Sequence, residues 1–171
     1  MTGPNVPMLF MGQEFLEDKY WSDSTESASL LIWWDGLRSD RAMSDYLRFV
    51  RELIALRRNL DAVRRGRINV YHAWDATRVL AFHRWIDGSG NDVVVVVSLS
   101  EVTHYGYKLG FPRAGRWIER FNSDVYDNWV NPITAGNGGS ITAYDGGMHG
   151  LPAHADIVIP ANGLLVFSMV P

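Results

Sequence analysis

The sequence of 171 residues contains no cysteine, which rules out disulfides and thiolate metal sites at once. That absence fits a reducing compartment, and the cytoplasm is the expected location. Apolar runs such as Val93–Val97 stay far below the roughly 20 residues that a membrane helix needs, so no membrane partner is expected. The first residues show no basic stretch leading into an apolar segment and a small-residue cleavage site, so no secretory leader is expected either. No internal repeat is evident. A basic field is also missing. Net charge is −3, and basic side chains gather only at Arg57, Arg58, Arg64, Arg65 and Arg67. A helix C-terminus followed by a solvated turn accounts for that cluster, and no nucleic-acid partner is expected.

What is present is the composition of a folded chain. Hydrophobic residues make up 47% and charged residues 20%, which argues against disorder. The length suits one ordinary domain, or a small domain with an appendage. Seven Trp, seven Tyr and seven Phe suit a well-filled core and a sugar-binding surface equally.

The pattern changes near residue 66. Val6–Met11 is a continuous apolar run stopped by Gly12, as expected of a strand buried on both faces, with Pro7 at its start. Residues 16–40 read as a loop. Ser39 or Asp40 can then cap a helix over about 41–60, in which Met43, Tyr46, Leu47, Val50, Leu53, Ile54 and Arg57 form one stripe. Gly66 ends its basic turn.

Strand after strand follows. Candidates are Ile68–His72, Arg78–Trp85, Asp92–Ser98, Thr103–Leu109, Arg116–Phe121, Ser140–Ala143, Asp156–Ile159 and Leu164–Met169. Turns are expected at Asp87-Gly88-Ser89-Gly90, Asn137-Gly138-Gly139, Asp145-Gly146-Gly147 and Asn162-Gly163. The five valines of Val93–Val97 read as a central strand covered on both faces. Many short strands at near-regular spacing imply an antiparallel sandwich or barrel. The order strand, loop, helix and then a β-only domain reads as the last βα unit of something larger (residues 1–66), followed by an all-β domain (residues 67–171).

Pro7-Met8-Leu9-Phe10-Met11-Gly12-Gln13-Glu14-Phe15 closely resembles the eighth barrel strand of the α-amylase superfamily, glycoside hydrolase family 13. The Phe-Met-Gly-Gln-Glu-Phe form is most similar to the 1,4-α-glucan branching enzymes. Ile32-Trp33-Trp34-Asp35, the helix segment Arg51–Arg58, and Phe121-Asn122-Ser123-Asp124 fit the same family in the same order. Tyr126-Asp127-Asn128-Trp129 departs from it, where those enzymes often carry a Tyr-Gly-Gly turn.

The resemblance implies a mainly β chain: the α-amylase C-terminal all-β sandwich, preceded by a strand–loop–helix remnant of a (β/α)₈ barrel. It implies glucan processing by a parent enzyme that transfers α-1,4-linked segments to a 6-hydroxyl in glycogen or starch metabolism. In that family an Asp nucleophile and a Glu acid/base about 5 Å apart act with a further Asp. These lie on barrel strands four, five and seven, so none falls on a residue of this sequence, and the chain alone is expected to be inactive. Its expected partners are an α-glucan, reached through the parent enzyme, and the rest of the barrel. No cofactor is expected.

Three residues are carried forward as substrate contacts: Gln13 and Glu14, just past the presumed strand end on the face where barrel sites lie, and Trp21. Trp33 and Trp34 read as core residues anchoring the helix. The acidic residues Glu14, Glu17, Asp18, Asp23, Glu26 and Asp35 lack the rigid opposing geometry that glycoside hydrolysis needs. His149 and His154, in a Gly- and Pro-containing loop, do not have metal-ligand spacing. The β domain could instead bind carbohydrate through Trp117, Tyr126 or Trp129. Val6–Phe10, if left without neighbours, favours self-association.

Overall fold

The computed structural model describes residues 1–20, 22–24, 26, 30–126 and 133–169. After a 3₁₀ turn at Gln13–Phe15 come, among the described residues, the α-helices α1 (Gly36–Ser39), α2 (Arg41–Asn59) and α3 (Asp61–Arg65). Asp40 caps α2, its Oδ1 accepting from the N–H of Ala42 at 2.8 Å and of Met43 at 3.3 Å. Met43, Val50, Leu53 and Leu56 are buried along one face of α2, as a 3.6-residue period requires. Helix α2 stops at Asn59, and Leu60, in extended backbone, links it to α3.

Eight strands follow: β1 (Arg67–Trp74), β2 (Val79–Trp85), β3 (Val93–Ser98), β4 (His104–Phe111), β5 (Gly115–Asn122), β6 (Ser140–Met148), β7 (Leu151–Ile159) and β8 (Leu164–Met169). All eight match strands read from the sequence. They form one antiparallel sheet in the order β1-β2-β3-β8-β5-β6-β7-β4. The sheet folds over on itself through β6, which pairs with β5 over Ser140–Ala143 and with β7 from Tyr144 onward. Two layers therefore face each other, as a sandwich requires.

Asp145-Gly146-Gly147 does not form the expected turn. The chain runs on as strand, with a register shift between Asp145 and Met148 and Gly146 at φ 125°. A bulge uses the same glycine freedom as a turn. The reversal comes at His149-Gly150, both at positive φ, as a two-residue hairpin requires.

Alternation along β3 builds two cores. Val94 and Val96 point into the sandwich with Leu109, Phe111, Trp117, Ile157, Leu165 and Phe167. Val93 and Val95 point outward with Phe82, Phe121 and Val166, against Leu53, Leu56 and Val63 of the helices. The valine strand is thus central and covered on both faces, one by sheet and one by helix. Full burial of each such side chain is worth about 1.5–3 kcal/mol.

The basic cluster is only partly a solvated turn. Arg57 donates to the carbonyls of Met1 (2.6 Å), Gly3 (2.8 Å) and Asn5 (3.0 Å), tying the first residues to α2. Arg84, fully buried, donates to the carbonyls of Arg67, Thr2 and Gly66 at 2.8–3.0 Å. Burial first, and then the nearby Arg57 charge, pulls the Arg84 pKa down from its ordinary value.

The expected strand Val6–Met11 is not formed. No part of it pairs with another strand among the described residues, and Val6 is 92% and Met8 80% exposed. An apolar run becomes a buried strand only where neighbours complete its ladder and cover its faces. The strand of the expected barrel remnant is therefore not in evidence, and the helix is formed.

Replacing Arg84 by Met keeps an unbranched apolar stem and removes the donor to three carbonyls. Urea denaturation is expected to show a loss of about 2–3 kcal/mol.

Candidate functional site

The residues after Gly12 fold into a compact rim against α2. Gly12 sits at φ 81°, and a Cβ there would lie 2.6 Å from the Glu17 Cβ. Phe15 is buried, with its ring 5.3 Å from that of Trp34. The Glu17 carboxylate accepts from the Trp33 N–H at 2.6 Å, and Lys19 Nζ donates to the Leu31 carbonyl. Glu17 therefore joins two ends of a loop 16 residues apart, a role that nothing in the local pattern announced.

The three candidate contacts part company here. Gln13 is exposed, and its Oε1 accepts from the Phe10 N–H at 3.3 Å. It borders a recess of about 470 Å³ with Leu9, Leu16, Glu17, Tyr46 and Val50. Glu14 is half-buried and does not line that recess; among the described residues no hydrogen bond or ion pair engages its carboxylate. Trp21 lies outside the described residues. Trp33 and Trp34 are not the core residues expected. They are 45% and 60% exposed, because only their inner edges meet Phe15 and Gly36.

The acidic residues do not form a catalytic pair. Asp18, Asp23 and Glu26 are exposed, Glu17 is committed to Trp33, and Asp35 faces Arg38 at 4.0 Å in solvent. Hydrolysis of a glycosidic bond needs two carboxyl groups opposed across it on rigid walls.

A second groove, of about 640 Å³, runs between α2 and β5 past Glu52, Asn59, Glu119, Arg120, Asn122 and Tyr126. Most of its polar groups are structurally engaged. Tyr126 donates to Glu52, which also accepts from Arg48 Nε at 2.9 Å. The Tyr126 bond, more than the Arg48 charge, lowers the Glu52 pKa, while burial and that same bond raise the phenol's. Glu119 accepts from Asn137 Nδ2 at 2.6 Å, and Arg120 Nε donates to Ser168 at 2.7 Å. The Asn122-Ser123-Asp124 segment is structural, as its composition indicated. Asn122 accepts from the Asp124 N–H at 2.9 Å, and Ser123 from the Leu164 N–H at 2.8 Å.

Of the aromatics considered as sugar platforms, Trp117 is fully buried against Phe111. Tyr126 packs edge-on to Phe49 at 5.4 Å and beneath Arg48. Trp129 is outside the described residues. Neither of the two described rings offers an open face.

The family model "Alpha amylase, C-terminal all-beta domain" matches residues 74–170, more than half of the chain. The chain belongs to this α-amylase C-terminal domain family. Similar curated proteins are the 1,4-alpha-glucan branching enzymes GlgB of Mycolicibacterium paratuberculosis, 33% identical over 168 residues and 95% of this chain, and of Frankia casuarinae, 35% identical over 173 residues and 96%. The match covers 22% and 20% of those proteins, so the chain spans about a fifth of the length of these relatives. The solved structure of AmyP in complex with maltose shares the fold at a TM-score of 0.54 and 16% identity, over 82% of this chain and 24% of that one. The matched residues begin at the last residue of β1, and the rim at Gln13–Trp34 lies ahead of them.

Glu17→Ala is expected to free the Trp33 amide. Its hydrogen exchange should speed up by about tenfold, the equivalent of roughly 1.4 kcal/mol, with the amides of β3 unchanged.

Proposed function

We propose that this chain is the C-terminal part of an enzyme of the 1,4-α-glucan branching type, and that it buttresses a catalytic barrel rather than performing chemistry itself. The observation that carries the reading is the pairing of a docked helix with an unpaired apolar segment. Helix α2 is packed on the sheet, while Val6, Met8, Leu9 and Phe10 expose 92%, 80%, 42% and 48% of their surface ahead of it. Exposed apolar residues ahead of a docked helix support a reading in which residues 1–66 belong to the barrel, whose neighbouring strands would complete Val6–Met11, and 67–171 to the β domain. Similarity to branching enzymes over nearly the whole chain, at about a fifth of their length, supports it.

Under this reading Gln13, Glu14 and Trp21 border the glucan cleft of the parent enzyme, and the carboxylates that break and form the glycosidic bond lie elsewhere. The setting is cytoplasmic glycogen or starch metabolism. No helix among the described residues is long and apolar enough to cross a membrane. A carbohydrate-binding role for the β domain alone loses two of its three named platforms, since Trp117 and Tyr126 are packed away.

Three measurements separate the readings. The isolated chain is expected to leave the iodine stain of amylose unchanged, and a colour shift would make it an enzyme in its own right. It is expected to run unretarded in amylose or glycogen gels, whereas retardation would favour a binding module. Light scattering is expected to show self-association through Val6–Phe10. A monomer whose residues 1–35 are unprotected from hydrogen exchange would contradict that apolar surface.

A further inference from the structure

The sheet order leaves β1 and β4 as its two edges, and the fold-over brings them together. No backbone ladder joins them; side chains do. Tyr71 of β1 donates its hydroxyl to the Gly110 carbonyl of β4 at 2.9 Å. His72 Nε2 meets the Tyr107 hydroxyl at 2.7 Å, and Thr77 Oγ1 meets the same hydroxyl at 3.1 Å. His104 Nε2 lies 3.2 Å from the Thr77 carbonyl.

The tip of the β6–β7 hairpin closes over this seam. His149 stacks on His72 with ring centroids 4.1 Å apart, and its Nδ1 accepts from the Gly110 N–H at 3.3 Å. The fit is tight, since a Cβ on Gly110 would lie 2.3 Å from the Met148 carbonyl oxygen.

The geometry points to a clasp, built from His72, Tyr107 and His149, that holds the two sheet edges together while the imidazoles are neutral and releases them in mild acid. The chemistry follows from the donor inventory. An accepting Nδ1 carries no proton, so neutral His149 keeps its proton on Nε2. Protonation at Nδ1 removes the only lone pair that can receive the Gly110 N–H. It also places a cation against the ring of His72, and two stacked imidazoliums repel.

Burial lowers the pKa of both rings, and the His149 charge lowers that of His72 further. The other titratable groups on the packed elements do not offset this. Tyr71 is pushed well above its ordinary range by burial and stays a donor. Tyr107 and His104 carry no negative charge. Lys108 is paired with Asp156, and His154 of β7 bonds the Gly146 carbonyl instead. Among the described residues no carboxylate pairs with either ring of the stack.

The sign is that of two bases buried neutral. The unfolded or opened state binds more protons below the ordinary histidine pKa of about 6.5, so the clasp is fully effective above that value. It weakens as pH falls toward the lowered pKa of the closed state.

The test uses the whole chain. Hydrogen exchange of the Gly110 amide, corrected for intrinsic rate and referenced to Val95, is followed from pH 7.5 to 5. Protection should fall by up to about tenfold per pH unit for each ring below 6.5. His149→Asn, which tolerates the left-handed backbone and keeps a non-titrating acceptor, should lose about half of this dependence, leaving the share of His72. Equal pH dependence in both proteins, or none in the wild type, would overturn the clasp. Should the variant not fold, NMR titration of the wild-type imidazoles decides: His72 and His149 titrating below 6.5 supports the clasp, and titration at or above it refutes it.

Discussion

Val93, Val95 and Val166 leave the sheet on the side away from the sandwich and meet Leu53, Leu56 and Val63 of the helices. That contact governs most of what the chain can be. A sheet whose central strands are apolar on both sides cannot leave one face to water, and here a helix pair covers it. The helix in turn has its buried stripe only because the sheet supplies the opposite wall. The sandwich has its own core between the layers, but the outer face of the sheet and the stripe of the helix are covered only by each other.

The contact also sets the position of everything ahead of it. With α2 fixed on the sheet, Arg57 and Arg84 gather the carbonyls of Met1, Thr2, Gly3 and Asn5, and Phe15 seats the rim on α2. Between these anchors Val6–Phe10 has nothing to pair with and stays open. The buttress proposal rests on this exposed apolar segment held between two fixed points. At the far side of the sandwich the edges β1 and β4 are closed by Tyr71, His72, Tyr107 and His149 rather than by a ladder. The molecule thus has one seam held mainly by apolar packing and one held by imidazoles and phenols.

Much of this was legible in the residues. Two-residue alternation and turn chemistry located all eight strands, and a capping Asp before a 3.6-residue stripe located α2. The misses share a cause. Val6–Met11 has the composition of a buried strand, but a strand is a relation between segments, and no described segment pairs with it. Asp145-Gly146-Gly147 has turn chemistry, but glycine at positive φ serves a bulge as well as a turn. The hinges of the account, such as Glu17 with Trp33, Glu52 with Tyr126, and His72 with Tyr107, join residues 16, 74 and 35 positions apart. Pattern reading over a local window carries no signal for such pairs. Trp117 shows the converse: an aromatic suited to sugar stacking by type alone proved to be the largest side chain of the core.

Family membership rests on the β domain, and the functional reading on what precedes it. Both require that helices and sheet behave as one unit, with the rim as a looser attachment. Native-state hydrogen exchange through a urea series measures this directly. The account predicts that the amides of Leu53 and Leu56 converge with those of Val94 and Val166 on one opening free energy and one urea dependence, while amides of residues 6–20 open at far lower cost. If α2 opened as a separate, weaker unit while the strands stayed protected, the seam would not be the constraint on which the fold depends.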